Sequence, residues 1–598
     1  MPQDKDRKVQ LTQFDEHYFK TLDIQSIRIG GPSSIRYYEL DPGGVPGIAC
    51  DIAIIGGGTG GFAAALTLLD ELAKTPGRSL SIILTEETDW LGGQMTSQGV
   101  SALDENKYIE TTGGAKSYLR LRQAIRQAYR DSGKLKKDAF DDPLLHPGRS
   151  WVTRLSFEPR LCAEMLDKII LDHPMSSHLQ ILKRHKAIAA KRDKSDNGHI
   201  SAILLADLDS EATIALLPQI VLDATETGDL LALANIPYRL GSDSRQLTGE
   251  AHAPRIGNDQ NVQDYTYPFA IKIDNNQAVT SIGDESPGYV DWVKDGQYSL
   301  YGYKVFTESE GRLPFFTYRR LIDKELFEPG AYQSDISMIN WDANDLRGYN
   351  FIDQDPQKAE SYLLKAKALS LGFLLWLQTE VPRDDDSGKG YPEFCLIKDL
   401  FGTDDGLSKY PYIRESRRLA AKTMIVEQDI VASTDETIRQ SRAKHLTDSI
   451  GIGLYPVDIH GYQEIPGAAQ AALPFQIPYS AMITDACPNY LASCKNIGVS
   501  HITNGAYRLH PIEWSIGVAA ACAAALALDL KQAPNTLDDA DQIEALQIKV
   551  LDHGSPIFWL DDLPVLSTAP DIFTKIQMAC QLDPTLTSPA NLEREQKL

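Results

Sequence analysis

The chain has 598 residues, 42% of them apolar and 24% charged, ordinary globular values that exclude a largely disordered or collagen-like chain. More than one domain is expected at this length. Lys and Arg number 59 against 82 Asp and Glu, a net charge of −23; so acidic a surface repels phosphate backbones and argues against nucleic acid as a partner.

Seven Cys without a CxxC pair disfavour zinc ribbons and thioredoxin-like redox motifs, and no metal is expected. The N-terminal stretch lacks the apolar core of a signal peptide, which together with the Cys usage predicts a cytoplasmic protein. Residues 1–47 read as a polar extension punctuated by Gly30-Gly31-Pro32 and Pro42-Gly43-Gly44.

Regular structure is predicted from Cys50. Asp51–Ile55 is a short apolar run ending in glycines, as a buried parallel strand should be. Phe62–Lys74 reads as a helix stopped near Pro76-Gly77, and Ser79–Thr85 as a second strand, which completes a βαβ unit. Gly113–Ser132 is predicted helical, and its Arg120, Arg122, Arg126 and Arg130 as a solvated face. Short apolar runs from Leu179 to Ala215, broken by turns such as Ser195-Asp196-Asn197-Gly198, predict an antiparallel meander, and Gln219–Leu222 a further buried strand. Residues 236–474 have a mixed pattern with no second Gly-rich fingerprint. Asn489–Leu530 reads as a strand, a polar and aromatic turn, and a long Ala-rich helix. Its apolar part, Pro511–Leu528, is too poor in bulky side chains for a lipid-facing span, so no membrane span is predicted.

The glycines 56–61 with Thr59 among them (GGGTGG) satisfy G-x-G-x-x-G. Gly56 permits the tight turn, Gly58 lets backbone N–H groups approach a pyrophosphate, and Gly61 lets the helix pack close to the sheet; Thr59 and Gly60 lie within the same loop. The phosphates would sit at the positive end of the helix dipole. Glu86, at the end of the next strand, is placed to accept hydrogen bonds from both hydroxyls of a ribose, which disfavours a 2′-phosphate and hence NADP. The adjacent Glu87 is expected to be exposed. Gly92-Gly93, before Gln94, allow the backbone to pass close to the middle of an extended dinucleotide.

The pairing of G-x-G-x-x-G with E-x5-G-G resembles FAD-binding proteins of the glutathione-reductase-like superfamily, and it separates FAD from NAD. The segment Gln219–Asp229, with Thr225, Gly228 and Asp229, resembles the strand-to-turn piece that returns to the FAD domain. The strings at 89–105, 411–418, 474–483 and 501–514 are similar to one bacterial family of FAD-dependent oxidoreductases, the FAD-oxidored family, from about residue 50 to 530. The likeness departs at Cys494, Val518 and Ala521, where Gly, Glu and Gly would be expected.

The resemblance implies a flavoprotein of α/β class: a Rossmann-like FAD-binding domain, with a parallel sheet and an antiparallel meander, beside a mixed α+β substrate domain. The FAD domain is expected to be assembled from 48–112, 150–235 and 475–535. A helical insertion would span 113–149, the substrate domain 236–474 and a helical extension 536–598. The expected function is hydride removal from a small-molecule substrate, with oxygen or another electron acceptor reoxidising the flavin; a homodimer is one possible assembly, and the oligomeric state is left open. Alternatives are an NAD(P)H- and oxygen-dependent monooxygenase and a non-catalytic flavin-binding protein.

Pro511 and Glu513 suit the first turn of the last helix, whose positive end would favour a reduced flavin. His501, Asn504, Tyr507, Arg508 and His510 crowd the preceding turn, and the His501–Trp514 segment is expected to line the isoalloxazine. His501 or His510 is the expected base, with Tyr507 and His460 in reserve. Arg414 and Arg418 are expected to share a helix face, where Arg414 can clamp a substrate carboxylate, although ion pairs with the many acids are the commoner fate of Arg414, Arg417 and Arg418. Asn340-Trp341 and Asn344-Asp345 read as pocket lining.

Overall fold

In the computed structural model the described residues are 45–193, 198–210, 212–275, 288–432, 442–460 and 471–587. The expectations placed on 1–44 and on the turn at 195–197 lie outside them. The chain forms a mixed α/β structure built on a seven-stranded sheet. Its strands are β1 (Gly47–Ile55), β2 (Ile82–Glu86), β3 (Leu179–Lys183), β4 (His185–Arg192), β5 (Ile200–Asp207) and β6 (Thr213–Asp223), in the order β3-β2-β1-β6-β5-β4, with Tyr490–Ala492 pairing with β6.

β1, β2, β3 and β6 pair in parallel, and β4, β5 and β6 run antiparallel. Two expectations are corrected here. Leu179–Lys183 does not belong to the meander; it extends the parallel side beyond β2. Gln219–Leu222 is not a separate strand either, because the eleven-residue β6 meets β5 at its start and lies beside β1 from Ala215 to Asp223. A strand flanked on both sides needs apolar residues on both faces where it is covered, which is why its end reads as a continuous apolar run.

Helix α1 (Thr59–Lys74) follows β1, and α2 (Lys116–Asp131) and α3 (Pro159–Leu171) come before β3. In α2 the solvated-face reading fails for two arginines. Arg122 and Arg126 are 1% and 3% exposed and are paired with Glu105 and Glu110, so the charge run is partly an internal ion network. A second, four-stranded sheet has β7 (Phe269–Ile273), β8 (Arg320–Ile322), β9 (Ile336–Ile339) and β10 (Phe394–Leu396) in the order β10-β7-β9-β8, all antiparallel. It packs with α4 (Pro356–Thr379) in an aromatic core of its own, around Tyr267, Phe315, Phe373 and Phe394.

The segment after Tyr490–Ala492 departs from expectation in one respect: the polar turn is a two-turn helix, α5 (His501–Tyr507), capped by Ser500, whose Oγ accepts from Thr503 N at 3.1 Å. The capping hydroxyl stops fraying at the N-terminus of a helix too short to hold by propensity alone. Helix α6 (His510–Leu530) is long and apolar enough by composition to cross a membrane, yet 94% of that window is buried inside the protein. It crosses α1 so closely that a Cβ on Gly517 would stand 2.1 Å from the Gly60 carbonyl oxygen. Helices α7 (Ala540–Asp552) and α8 (Pro570–Leu582) close the described chain, and Glu71 of α1 binds Lys549 and His553 at the end of α7.

Candidate active site

The site begins where β1 gives way to α1. Gly56 has φ +102°, and its N–H reaches Thr85 Oγ1 at 3.2 Å. Gly58 is the N-cap of α1 and offers no side chain to the first-turn N–H groups, which remain available to an anion. Gly92-Gly93, both at positive φ, clasp this turn: Gly92 N donates to Gly57 O at 2.8 Å, and Thr59 Oγ1 donates to Gly92 O at 3.1 Å. A Cβ on either Gly58 or Gly93 would stand 2.4 Å from Glu226 Oε1, so the two glycine loops form one cradle and a carboxylate lies in it.

Glu86 ends β2 beside this cradle. Its Oε2 accepts from Gly57 N at 3.0 Å, and its Oε1 accepts from both Thr88 N and Oγ1 at 2.8 Å. Burial pushes its pKa up to about 8, against the pull of the Thr88 bonds. Glu87 is not simply exposed; it is half-buried and receives Lys186 Nζ at 2.6 Å. Thr225 lines the same cleft, with its hydroxyl donating to Asp223 at 2.7 Å. Gly228 and Asp229 lie behind it: Gly228 turns the chain at φ +64°, and Asp229 is buried between Lys186 and Arg417.

From the cradle a buried polar seam leads to the start of α6. Glu226 pairs with Lys495, whose Nζ also reaches Glu513 Oε1 at 3.2 Å. Burial raises Glu513 to about 7, with Lys495 opposing and Glu226 reinforcing the shift. Gln94 Nε2 donates to Arg508 O at 2.9 Å. Several buried side-chain atoms near this seam and the first turns of α5 and α6 have no hydrogen-bond partner among the described residues: Gln94 Oε1, Gln98 Nε2, Ser101 Oγ, His501 Nε2, Asn504 Nδ2 and His510 Nε2. Orphaned donors and acceptors this dense mark a place built for a polar ligand. A flavin dinucleotide carries a pyrophosphate for the glycine cradle and a ring with both donors and acceptors, so the residues fit FAD.

The four candidate bases separate by their partners. His501 Nδ1 faces the Glu415 carboxylate at 2.9 Å; the carboxylate is acceptor-only, which places a proton on Nδ1 and directs Nε2 away. His510 Nδ1 accepts from Asp104 N at 3.2 Å, which leaves the proton on Nε2, and burial pushes its pKa down to about 4. Its Nε2 is therefore a donor, contrary to the expectation of a base. Tyr507 donates to Gln476 O at 2.7 Å and stacks on Phe475 at 4.4 Å, within the core. Trp514 likewise packs between Phe62 and Tyr118 and donates to Ser117 Oγ at 2.8 Å, so neither ring lines the site.

His460 lies between Asp345, 2.8 Å from Nδ1, and Asp458, 3.3 Å from Nε2. Burial and Arg414 oppose its charge, but the two carboxylates overcome both and hold it up to about 9. Bound on both nitrogens as an imidazolium, it has no lone pair with which to serve as base. It lines a pocket of about 300 Å³ with Trp341, Tyr412, Arg414, Asp458 and Arg508, a volume at the small end for ligand sites. Asn340 lines it as well, Asp345 is buried beneath it, and Asn344 is occupied with Thr266 and Trp341.

The expected helix over Arg414–Arg418 is absent. Tyr412 N, Ile413 N and Arg417 N donate to Thr266 O, Gln98 Oε1 and Thr227 O respectively, so the segment spends its backbone on other elements and runs extended. Arg417 and Arg418 are absorbed by Asp229, Asp353 and Asp243, the ion-pair fate that composition favoured. Arg414 does both: it pairs with Asp345 at 2.9 Å and faces the pocket. Gln263 joins the pocket to the His501 pair, since its N donates to Glu415, its Nε2 to Asn504, and its Oε1 accepts from His460 N.

Sequence reasoning missed Gln98, Asp104, Glu226, Gln263, Glu415 and Lys495. Only Lys495 carried a signal, as the one charged residue in the stretch Asn489–Ser500. The others are ordinary polar residues until the fold brings them together.

A dinucleotide cradle at a strand–helix turn, joined by a polar seam to a small pocket, defines a flavin-dinucleotide enzyme. The chain matches the family model "FAD dependent oxidoreductase" over residues 51–550 and belongs to that family: it is an FAD-dependent oxidoreductase with FAD as its cofactor. No curated protein sequence matches it. Among solved structures, L-proline dehydrogenase from P. horikoshii matches at 16% identity, covering 33% of this chain and 24% of that one, with a TM-score of 0.17. Glycerol-3-phosphate dehydrogenase from Bacillus halodurans, complexed with FAD, matches at 12% identity, covering 38% and 40%, with a TM-score of 0.21. The flavin-dependent monooxygenase PieE matches at 9% identity, covering 38% and 36%, with a TM-score of 0.20. The matches span 24% to 40% of those proteins' lengths, and likeness this slight carries no argument about substrate.

Proposed function

We propose that this enzyme is a dehydrogenase or oxidase that removes a hydride from a C–H beside an amine, alcohol or activated carbon of a small molecule. The seven-stranded sheet with its glycine turn is, on this reading, a Rossmann-like FAD domain of the glutathione-reductase-like kind. FAD, when bound, supplies the two-electron acceptor; oxygen or another acceptor takes the electrons onward. The substrate occupies the 300 Å³ pocket, held by the Arg414 and Arg508 guanidiniums and the aromatic walls of Trp341 and Tyr412.

The observation that carries the reading is the Glu415–His501 pair. A carboxylate that accepts from Nδ1–H orients the ring and stabilises the imidazolium that forms when Nε2 takes a proton. His501 does not line that pocket, and Gln263 links its Glu415 partner to His460 there; on this reading His501 is the base, and a substrate that extends past the pocket wall brings its proton to the unpartnered Nε2 as the hydride departs. His510 donates from Nε2 and positions its neighbours, and His460 holds Asp345 and Asp458 in place as a fixed cation. The polar first turn of α6 favours negative charge gathering nearby.

The test is anaerobic stopped-flow flavin reduction with a panel of small amines, alcohols and hydroxy acids. Rapid bleaching by a panel member, and none by NAD(P)H alone, is the expected result. Rapid bleaching by NAD(P)H without substrate would instead establish the monooxygenase reading.

A further inference from the structure

The cradle that receives a pyrophosphate already contains an anion of this chain. Glu226 Oε1 stands 2.4 Å from the Cβ positions of both Gly58 and Gly93, and the space left in the cleft is only about 30 Å³, room for about two or three water molecules. A pyrophosphate cannot share that space with a carboxylate, on steric grounds or on grounds of like charge. The other end of the same carboxylate binds Lys495, which is fully buried and also holds Glu513 at 3.2 Å.

We propose that Glu226 and Lys495 form a latch on the FAD site: Glu226 holds the glycine cradle until FAD arrives, and Lys495 then passes from Glu226 to the pyrophosphate as its counter-ion. The mobility of the two partners is unequal, which gives the exchange its direction. Glu226 is 16% exposed and borders the cleft, so it has a way out to solvent, whereas Lys495 is 0% exposed and is anchored by Glu513, so it stays. The displaced carboxylate recovers its hydration outside, and the ammonium keeps an anionic partner throughout. The latch also explains why a buried lysine stands beside two carboxylates at the mouth of a helix N-terminus. Without Lys495 the cradle would meet a doubly charged group with two acids at its back and only backbone N–H groups in front.

The test measures FAD binding to flavin-stripped full-length protein by fluorescence quenching, with inorganic pyrophosphate as a competing probe. Glu226→Gln, which keeps the shape and removes the charge, should tighten FAD binding by about 10-fold and strengthen pyrophosphate competition to a similar degree. Lys495→Met should weaken FAD binding by at least about 10-fold, and Lys495→Arg should stay within a few-fold of wild type. Because Lys495→Met takes the cation away from both Glu226 and the buried Glu513, the double variant E226Q/K495M is titrated beside it and should bind FAD more weakly than E226Q alone. FAD affinity that is unchanged or weaker in E226Q overturns the latch. Equal affinity of E226Q and E226Q/K495M overturns the counter-ion role of Lys495.

Discussion

Gly58 and Gly61 belong to one fingerprint but should fail in different ways when given side chains. A Cβ on Gly61 would stand 1.9 Å from the Gly56 carbonyl oxygen, where ordinary contact begins near 3.4 Å, so the start of α1 must retreat by about 1.5 Å. That retreat is blocked from behind, because a Cβ on neighbouring Gly60 would already meet Ser493 O at 2.0 Å, and Gly57 O is held by Gly92 N. All of these are backbone atoms, so Gly61→Ala should cost about 3 kcal/mol, the upper end for overpacking, and should lower the melting temperature. At Gly58 the nearest obstacle is the tip of the flexible Glu226 side chain, at 2.4 Å, which can move aside cheaply. Gly58→Val should therefore fold and melt almost as wild type while losing FAD, since the new methyl groups fill the pyrophosphate's place. The assay pairs circular-dichroism melting with the flavin-to-protein ratio after gel filtration. A Gly58→Val protein with stoichiometric FAD, or a Gly61→Ala protein that melts with wild type, would refute the mapping of the cradle.

Denaturing the purified yellow protein should release FAD; chromatography that finds FMN, or no flavin, contradicts the role of Glu86 beside a ribose. His501→Asn and Glu415→Gln should each slow flavin reduction by the identified substrate about 10²- to 10⁴-fold with FAD retained, whereas His510→Asn should slow it far less; equal rates in all three would remove His501 from the mechanism. Stability should fall on both sides of neutrality. His510, depressed to about 4 when folded, gains a proton on unfolding below about pH 6.5, so its contribution is present above 6.5 and is lost as pH falls through 4, by up to about 3 kcal/mol. His460, raised to about 9, contributes fully below about 6.5 and loses that contribution as pH rises through 9. Denaturation midpoints against pH for His510→Asn and His460→Gln should each flatten one flank only.

Local signals were legible wherever chemistry and backbone act within a few residues. The glycine turn, the strand before it, the helix after it and Glu86 were readable because a tight turn, a buried strand and a ribose acceptor each impose a residue type at a fixed offset. The Arg414–Arg418 segment was misread because its i, i+4 spacing fits a helix, while its backbone partners lie on Thr266, Gln98 and Thr227. The Arg122 and Arg126 pairs were misread for a similar reason. A charge run has the same spacing in solvent as against Glu105 and Glu110, and only tertiary packing decides which. The His501–Tyr507 helix escaped because Asn504 and Gly505 are poor helix formers, and the cap from Ser500 with burial on every side overrides propensity.

The roles of the histidines turn on a still finer point. His501 and His510 sit nine residues apart on adjoining helices, and in sequence nothing distinguishes them as acid, base or donor. What separates them is one hydrogen bond each: His501 meets a carboxylate supplied 86 residues away, and His510 meets a backbone N–H supplied 406 residues away. A carboxylate can only accept, and a backbone N–H can only donate, so the two rings are forced into opposite tautomers. The lone pair at Nε2 goes to His501 and the proton at Nε2 goes to His510. Replacing Glu415 by Gln tests this assignment more sharply than replacing either histidine. The amide can still fill the space, but it can present N–H to His501 Nδ1 and so reverse the tautomer without emptying the site. A normal reductive rate in that variant would mean that the tautomer does not matter and that proton removal is done elsewhere.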